Sequence, residues 1–286
     1  MNSFKLIECP RDAMQGLPGF IPTADKIRYL NVLLQVGFDT LDFGSFVSPK
    51  AIPQLRDTAE VLAGLDLSQT ATRLLAIVAN ERGAEQAVSY SPIQYLGFPL
   101  SVSETFQLRN TNKTIEQAFA EVTAIQKLCV SHRKQLVVYL SMGFGNPYGD
   151  PYSPELIGQF TERLVALGVE IIAPSDTVGS STPEGIERLF RYLLETYPAV
   201  EFGAHLHSRP GQVMEKVEAA WRAGVRRIDG ALHGFGGCPM AADDLTGNLP
   251  TEQIVYWLEK AGFSPGLNAA RLAEALALSM EIMSPR

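Results

Sequence analysis

Eight short runs rich in β-branched, aromatic and aliphatic residues recur along the chain, and their regular return constrains the fold more than any single motif. They are FKLIECP (4–10), TLDFGSF (40–46), RLLAIVA (73–79), IQYLGFPLS (93–101), QLVVYLSMG (135–143), VEIIAPSD (169–176), VEFGAHLH (200–207) and RRIDGAL (226–232). The segments between them carry helical periodicity. In TADKIRYLNVLLQVG, residues Ile27, Leu30, Leu33 and Leu34 share one face, with Thr23 at the expected N-cap and Gly37 at the expected C-cap. SPELIGQFTERLVALG, STPEGIERLFRYLLETYP and PGQVMEKVEAAWRAG repeat the pattern, opened by Ser153 or by Pro183 in a first turn and closed by Gly168 or Gly224. Runs such as LLAIVA and LVVYL are almost continuously apolar, as parallel strands covered on both faces must be. Eight successive strand–helix units predict an α/β protein, a (β/α)8 TIM barrel, with residues 264–284 adding a C-terminal helix. The third unit, whose helix is confined to residues 81–89, is the weakest link in that count, and an open doubly wound sheet is the alternative.

The chain of 286 residues has room for one such barrel, and no linker, low-complexity tract or shift in composition divides it, so residues 1–286 are expected to form one catalytic domain. Hydrophobic residues at 46% and charged residues at 19% exclude a disordered chain. The net charge of −7, from 24 basic and 31 acidic residues without a cationic run, excludes nucleic acid as a partner. Cys9, Cys129 and Cys238 form no CxxC pair and read as reduced thiols. The opening MNSFKLIECPRD is no signal peptide, and no apolar run approaches the ~20 residues of a membrane span. A cytoplasmic protein with no membrane partner is expected.

In a TIM barrel the carboxyl ends of the strands and the loops after them build the active site. Unusual polar residues collect at those ends here: ECPRDAMQG, DFGSFVSPK, PSDT, HLHS and HGFGGCPMAADDLTGN. Side chains alternate along a strand, so His205 and His207 point the same way, toward the mouth, and HxH makes a two-nitrogen metal edge. By itself HxH serves equally as one core histidine and one surface histidine. Asp12 beside Arg11 offers a carboxylate, and Asn248 in TGN an amide oxygen. Two imidazoles and two oxygens suit a six-coordinate divalent ion, Mg2+ or Mn2+, with positions left for a chelating substrate. A salt bridge to Arg11 would also account for Asp12, and a plain turn for Asn248. Cys238, after two glycines, lies on backbone free to approach a ligand, and a thiol there can exchange a proton with carbon. A buried structural cysteine would fit the same sequence.

Taken together, IECPRDAMQG, DFGSFVSPKAIPQL, SDTVGSSTP, HLH, GFGGCPMA and TGNLPTE, in order from about residue 4 to residue 265, resemble the hydroxymethylglutaryl-CoA lyases within the metal-dependent barrel lyases and synthases. The RD pair, SDT and HxH are shared across that superfamily, whereas SFVSPK and GGCP followed by TGN are particular to the lyases. The resemblance implies that Asp12, His205, His207 and Asn248 hold the divalent metal, that Arg11 stabilises a thioester enolate, and that Cys238 transfers a proton. It implies a retro-Claisen cleavage of 3-hydroxy-3-methylglutaryl-CoA, or a close 3-hydroxyacyl-CoA, to acetyl-CoA and acetoacetate. His205 is then a candidate base, with Asp42 or Asp176 as relay or orienter, and Gln15 and Tyr139 as substrate contacts. Asp42 stands where the family has glutamate, and Asp176 on the aspartate that the family keeps behind its metal ligands.

Three departures stand out. HSRPGQ replaces the family's HDTYGQ, Asn146 stands where many members have cysteine, and His233 is an added imidazole without a role. Lys50, Arg109 and Lys113 are by position the cations nearest a CoA groove, although each serves equally as a solvated surface charge. A condensing synthase or aldolase on the same barrel, using acetyl-CoA and a 2-oxo acid, is the nearest rival, and a non-catalytic acyl-CoA or metal sensor a remoter one. A homodimer is compatible with apolar outer helices.

Overall fold

The structure is a computed structural model that describes residues 4–237 and 246–283. Eight parallel strands follow one another around a closed sheet: β1 (Lys5–Glu8), β2 (Thr40–Ser45), β3 (Arg73–Ile77), β4 (Ile93–Ser101), β5 (Gln135–Ser141), β6 (Ile171–Asp176), β7 (Glu201–Ser208) and β8 (Arg227–Gly230). Each pairs with the next, and β1 also pairs with β8 through Lys5↔Arg227 and Glu8↔Gly230. That last pairing closes the barrel and rules out the open doubly wound sheet. A two-residue strand, β9 (Gly247–Asn248), runs antiparallel to the end of β7.

The helices are α1 (Pro10–Gln15), α2 (Thr23–Leu33), α3 (Thr58–Ala63), α4 (Glu81–Val88), α5 (Glu104–Thr111), α6 (Ile115–Ser131), α7 (Pro154–Ala166), α8 (Pro183–Thr196), α9 (Val213–Ala223), α10 (Thr251–Lys260) and α11 (Ala269–Met283). Several starts follow their capping chemistry. Ser153 accepts from Leu156 N, and Thr182 from Gly185 N with Pro183 next in line. Gly224 takes the left-handed conformation (φ 106°) that ends α9.

Helix α2 differs from expectation at both ends. Pro22 occupies its N-cap position, and Thr23, the first helical residue, donates its hydroxyl to Asp57 Oδ2 at 2.8 Å. The helix stops at Leu33, and Gly37 (φ 97°) serves the turn into β2 instead. Both differences arise from tertiary demands, the Asp57 contact and the entry into the barrel, that periodicity does not register.

Alternation along the strands divides the core in two. Outward residues such as Leu41, Leu96, Val138, Ile172, Leu206 and Ile228 pack under the helices. Inward residues, among them Leu75, Tyr95, Val137, Tyr139, Ile171 and Ala173, fill the barrel. The inward positions at the carboxyl ends are polar, with Ser175 directly opposite His205. Among the described residues no helix is long and apolar enough to cross a membrane.

Candidate active site

The first group is set by a tight join. Pro10 starts α1 immediately after β1, so Arg11, Asp12 and Gln15 leave a short helix at the barrel mouth rather than a strand tip. Arg11 and Gln15, four residues apart, share a helix face, and Nη1 donates to Gln15 Oε1 (3.0 Å) and to Asp12 Oδ1 (2.8 Å). Its other edge forks onto Asp42, with Nε and Nη2 at 3.0 and 2.6 Å from Oδ2. Asp42 reaches this point from β2, and both side chains are buried. Burial pushes the Asp42 carboxyl up to about 6, against the pull of Arg11. For Arg11, burial works the other way, but the Asp42 and Asp12 carboxylates outweigh it and raise its pKa.

The histidines come from β7, and their ring centroids lie 5.3 Å apart. His205 Nδ1 is 3.0 Å from Asp229 Oδ2, and His207 Nδ1 is 3.0 Å from the Thr177 carbonyl oxygen. In the tautomers these partners select, each ring turns Nε2 toward the mouth as an acceptor. His207 Nε2 is buried and has no hydrogen-bond partner. Burial and the neighbouring His205 lower the His207 pKa, so that ring is neutral. At His205 burial also lowers the pKa, but the bond and charge of Asp229 override it and the net shift is upward.

Asn248 lies in β9, not in a simple turn, and is the register partner of His207. Its Nδ2 donates to Asp12 Oδ2 and to the Phe235 carbonyl, both at 2.8 Å, which spends both amide protons and leaves Oδ1 as an acceptor. Ligand atoms of Asp12, His205 and His207 all lie within 4.8 Å of one another. Burial alone would raise the Asp12 pKa, but Arg11 and the two histidines outweigh it and keep the carboxylate ionised. An orphaned imidazole nitrogen, an ionised carboxylate, a second imidazole fixed by a carboxylate and an amide oxygen fit a divalent cation with mixed nitrogen and oxygen ligation. Cys9, His205 and Asp229 form a second close group. Burial and four surrounding carboxyls push the Cys9 thiol well up, so it stays protonated and is a poor ligand.

The start of the glycine loop also reaches the group around Asp12. Gly236 runs so close to Asp12 that a Cβ would lie 2.6 Å from its carbonyl oxygen and 2.9 Å from Asn248 Nδ2. Cys238, two residues on, lies outside the described residues. Tyr139 packs edge-on against His205 with centroids 5.4 Å apart, inside the barrel just below the rings. Asp176 behaves differently from the other expected residues. Its Oδ2 accepts from Ser181 N and Oγ (3.1 and 2.5 Å) and from Lys216 Nζ (2.9 Å), on the helix side of β6. His233, at φ 59°, donates its N–H to Glu252 and sets its ring against the Leu276 carbonyl of α11, away from the metal edge.

Asp229 and Lys216 are the functional neighbours that sequence reading missed. Asp229 was detectable in principle, since RRIDGAL places it inward at a strand end. Lys216 reads as an ordinary helix residue, and only the packing of α9 reveals it.

The HMGL-like family profile matches residues 5–278. The chain belongs to the HMGL-like family. It is 33% identical to the mitochondrial hydroxymethylglutaryl-CoA lyase of Macaca fascicularis over 272 residues, which cover 95% of this chain and 83% of that protein. It is 32% identical to the hydroxymethylglutaryl-CoA lyase YngG of Bacillus subtilis (strain 168) over 266 residues, or 93% of this chain and 88% of that one. Among solved structures, the HMG-CoA lyase from Brucella melitensis superposes with a TM-score of 0.91 at 30% identity, covering 99% of both chains. An HMG-CoA lyase from Acinetobacter baumannii in complex with coenzyme A and 3-methylmalate gives a TM-score of 0.90 at 32% identity, covering 98% of this chain and 91% of that one. The lyase-like barrel of this HMGL-like chain therefore extends over nearly its full length.

Proposed function

We propose that this protein is a carbon–carbon lyase that cleaves 3-hydroxy-3-methylglutaryl-CoA to acetyl-CoA and acetoacetate, with residues 1–286 acting as one catalytic domain. The observation that carries the reading is the meeting of Asp12, His205, His207 and Asn248 directly beside the Arg11 guanidinium. Family membership and relatives named as lyases of this thioester support it, and a related lyase solved with coenzyme A supports an acyl-CoA partner.

The proposed metal ligands are Asp12, His205, His207 and the Asn248 oxygen. Their donor set favours Mg2+ or Mn2+ over a closed structural zinc. When bound, such a cation would polarise the tertiary hydroxyl and orient the substrate. The rest of the chemistry belongs to side chains. A base takes the hydroxyl proton, the C2–C3 electron pair moves onto the thioester as an enolate, and the former carbinol carbon leaves as the ketone of acetoacetate. Arg11, held rigid by Asp42 and Gln15, meets the negative charge where it develops. His205 has a single free nitrogen, because Nδ1 is committed to Asp229. Metal ligation by His205 therefore excludes it as the base. Asp42, with a pKa near 6 and Oδ1 held only by a 3.3 Å contact to Arg11, is the better base candidate. Cys238 returns a proton to the enolate carbon. Gly236, two residues before it in the sequence, passes close over Asp12. Tyr139 and Gln15 line the acyl end, and Asp176 acts from behind His207. The two described cysteines are free and buried, in keeping with a reducing, cytoplasmic setting.

Acetoacetate release by the purified protein, assayed with Mg2+, with Mn2+ and after chelation, tests the assignment. Metal-dependent release that falls strongly in Cys238→Ser is expected. Release by the variant at the wild-type rate would remove the thiol from the mechanism, and no metal-dependent release would overturn the reading.

A further inference from the structure

Lys216 is a buried cation that the reaction as described does not use. It sits on α9, 1% exposed, and its ammonium is spent on three acceptors: Asp176 Oδ2 at 2.9 Å, the His207 carbonyl at 2.7 Å and the Gly179 carbonyl at 3.3 Å. Few surroundings justify carrying an ammonium from the helix layer to the end of a parallel strand. A buried charge is retained only where its partners are strong and well placed, and here all three donor protons are engaged.

The three acceptors belong to different parts of the site. Asp176 ends β6, and its carboxylate also gathers Ser181 N and Oγ, which winds the 177–181 segment into a compact loop. Within that loop the Thr177 carbonyl faces His207 Nδ1, and the Thr177 hydroxyl accepts from Met142 N at 2.8 Å. His207 is thus held twice, its ring by Thr177 and its backbone by Lys216. Gly179 adds the third connection. It adopts φ 69°, and a Cβ there would lie 2.6 Å from Thr246 Cγ2. Thr246 is the first described residue after the glycine loop and directly precedes β9, which carries Asn248. One ammonium therefore ties together the His207 backbone, the loop that orients the His207 ring, and the surface on which the strand bearing Asn248 rests.

We propose that Lys216 is a positioning residue for the reaction, fixing His207 and, through the 177–181 loop, the Asn248 strand in the relative register that metal capture requires. This rests on the metal-ligand assignment made above. A hydrogen-bonded partner behind a metal ligand fixes its orientation, and loss of such a partner typically costs roughly 10- to 100-fold in metal affinity or activity. Lys216 spends all three of its protons on protein acceptors and has none to offer a metal or substrate, so its effect is expected on metal affinity and on kcat rather than on KM.

The test compares Lys216→Met, which keeps the stem and removes the charge, with Lys216→Gln, which restores a neutral donor. Mn2+ affinity of the substrate-free protein, read by the EPR signal of free Mn2+, is measured beside kcat, KM for the acyl-CoA and the far- and near-UV CD spectra. The expected result for Lys216→Met is a loss of Mn2+ affinity and of kcat of about 10- to 100-fold with KM changed by less than about threefold, and partial recovery in Lys216→Gln. Mn2+ affinity and kcat within about twofold of wild type in a folded Lys216→Met protein would overturn the proposal. If Lys216→Met does not fold, Lys216→Gln is judged by the same criterion. Loss of near-UV CD in both variants would assign Lys216 to folding alone and also overturn it. Failure of the lyase assignment is separately visible as absent acetoacetate release by the wild type, a result under which the Mn2+ measurement still decides the role of Lys216.

Discussion

The two ends of the barrel interior handle buried charge in opposite ways. At the floor, Arg227 and Lys5 both donate to Glu201, at 3.2 and 2.5 Å, and Arg73 donates to the Tyr95 hydroxyl at 2.8 Å. Glu201 and Arg73 keep 33% and 45% of their side chains in solvent, so these charges are shared with water. At the mouth, Asp42, His207 and Asn248 are buried and Asp12 keeps only 12% of its side chain in solvent. Arg11 and Asn248 bind Asp12, and Asp229 backs His205, yet the ligand atoms of Asp12, His205 and His207 still converge within 4.8 Å of one another, and His207 Nε2 has no hydrogen-bond partner. The strands are the same at both ends. The difference is whether each charge simply meets its own polar partner, as at the floor, or ligand atoms of several side chains also converge on one point, as at the mouth, and only that convergence makes a site that a cation would stabilise.

The comparison breaks if equivalent substitutions at the two ends have equivalent effects. The largest contrast pairs His207→Ala with Arg227→Met. Losing a ligand forfeits several kcal/mol of charge stabilisation, so acetoacetate release in His207→Ala is expected to fall by ~10³-fold or more, while the melting temperature stays close to wild type. Arg227 is 1% exposed, yet its Nη2 has no hydrogen-bond partner. When Arg227 is lost, Glu201 still has Lys5 as a partner and 33% of its side chain in solvent, so no carboxylate is left buried and unpaired there, and Arg227→Met is expected to keep kcat within about threefold of wild type. Steady-state kinetics on the two proteins side by side is the measurement.

Next in size is Arg11→Met. Removal of one preorganised donor to a developing oxyanion costs about 10²- to 10³-fold in kcat, and Arg11→Lys should not restore it, because an ammonium cannot fork onto Asp42 while reaching Gln15. A smaller effect is expected for Asp229→Asn, which keeps the shape behind His205 but removes the charge. Roughly 10- to 100-fold weaker Mn2+ binding, read by EPR, would match other carboxylate–histidine pairs, and unchanged affinity would show that His205 needs no carboxylate behind it.

The smallest effect concerns stability alone. Glu8, buried under the root of the glycine loop, accepts from Leu232 N (2.9 Å) and Thr251 Oγ1 (2.5 Å). Burial raises its pKa from 4.5 to about 8, against the lowering effect of those two bonds. The folded state thus prefers the protonated acid, and the stability linked to it is complete below pH 4.5 and is lost as pH rises through about 8. Glu8→Gln mimics the protonated form, so its melting temperature should exceed that of wild type at pH 8 by a few degrees, with the gap closing toward pH 5. A gap independent of pH would remove the titration from the account.

Much of the site was legible because strand ends are legible. His205 and His207 share a face by the period of a strand, RD and GGCP fall close after strand-like runs, and TGN closes the loop that follows the eighth. Asp176 was harder to place. Its position at a strand end is plain from SDT, but the alternation that turns Ser175 toward His205 turns Asp176 toward α9, where Lys216 waits. The join at Pro10, which puts Arg11 and Asp12 on a helix only six residues long, was too short for periodicity to register, and the pairing of Asn248 with His207 in a ladder depends on a partner far away in the chain.

Local information settled what is local: the count of eight strands, the shared face of His205 and His207, the Ser153 cap of α7 and the Pro183 start of α8, and the chemical types collected at one end. Closure of β8 onto β1, the exclusion of the open sheet, and the spacing of three ligand atoms drawn from α1 and β7 were decided in three dimensions. Periodicity specifies a direction along one element, whereas a metal site and a buried ammonium depend on distances between elements, and packing alone sets those.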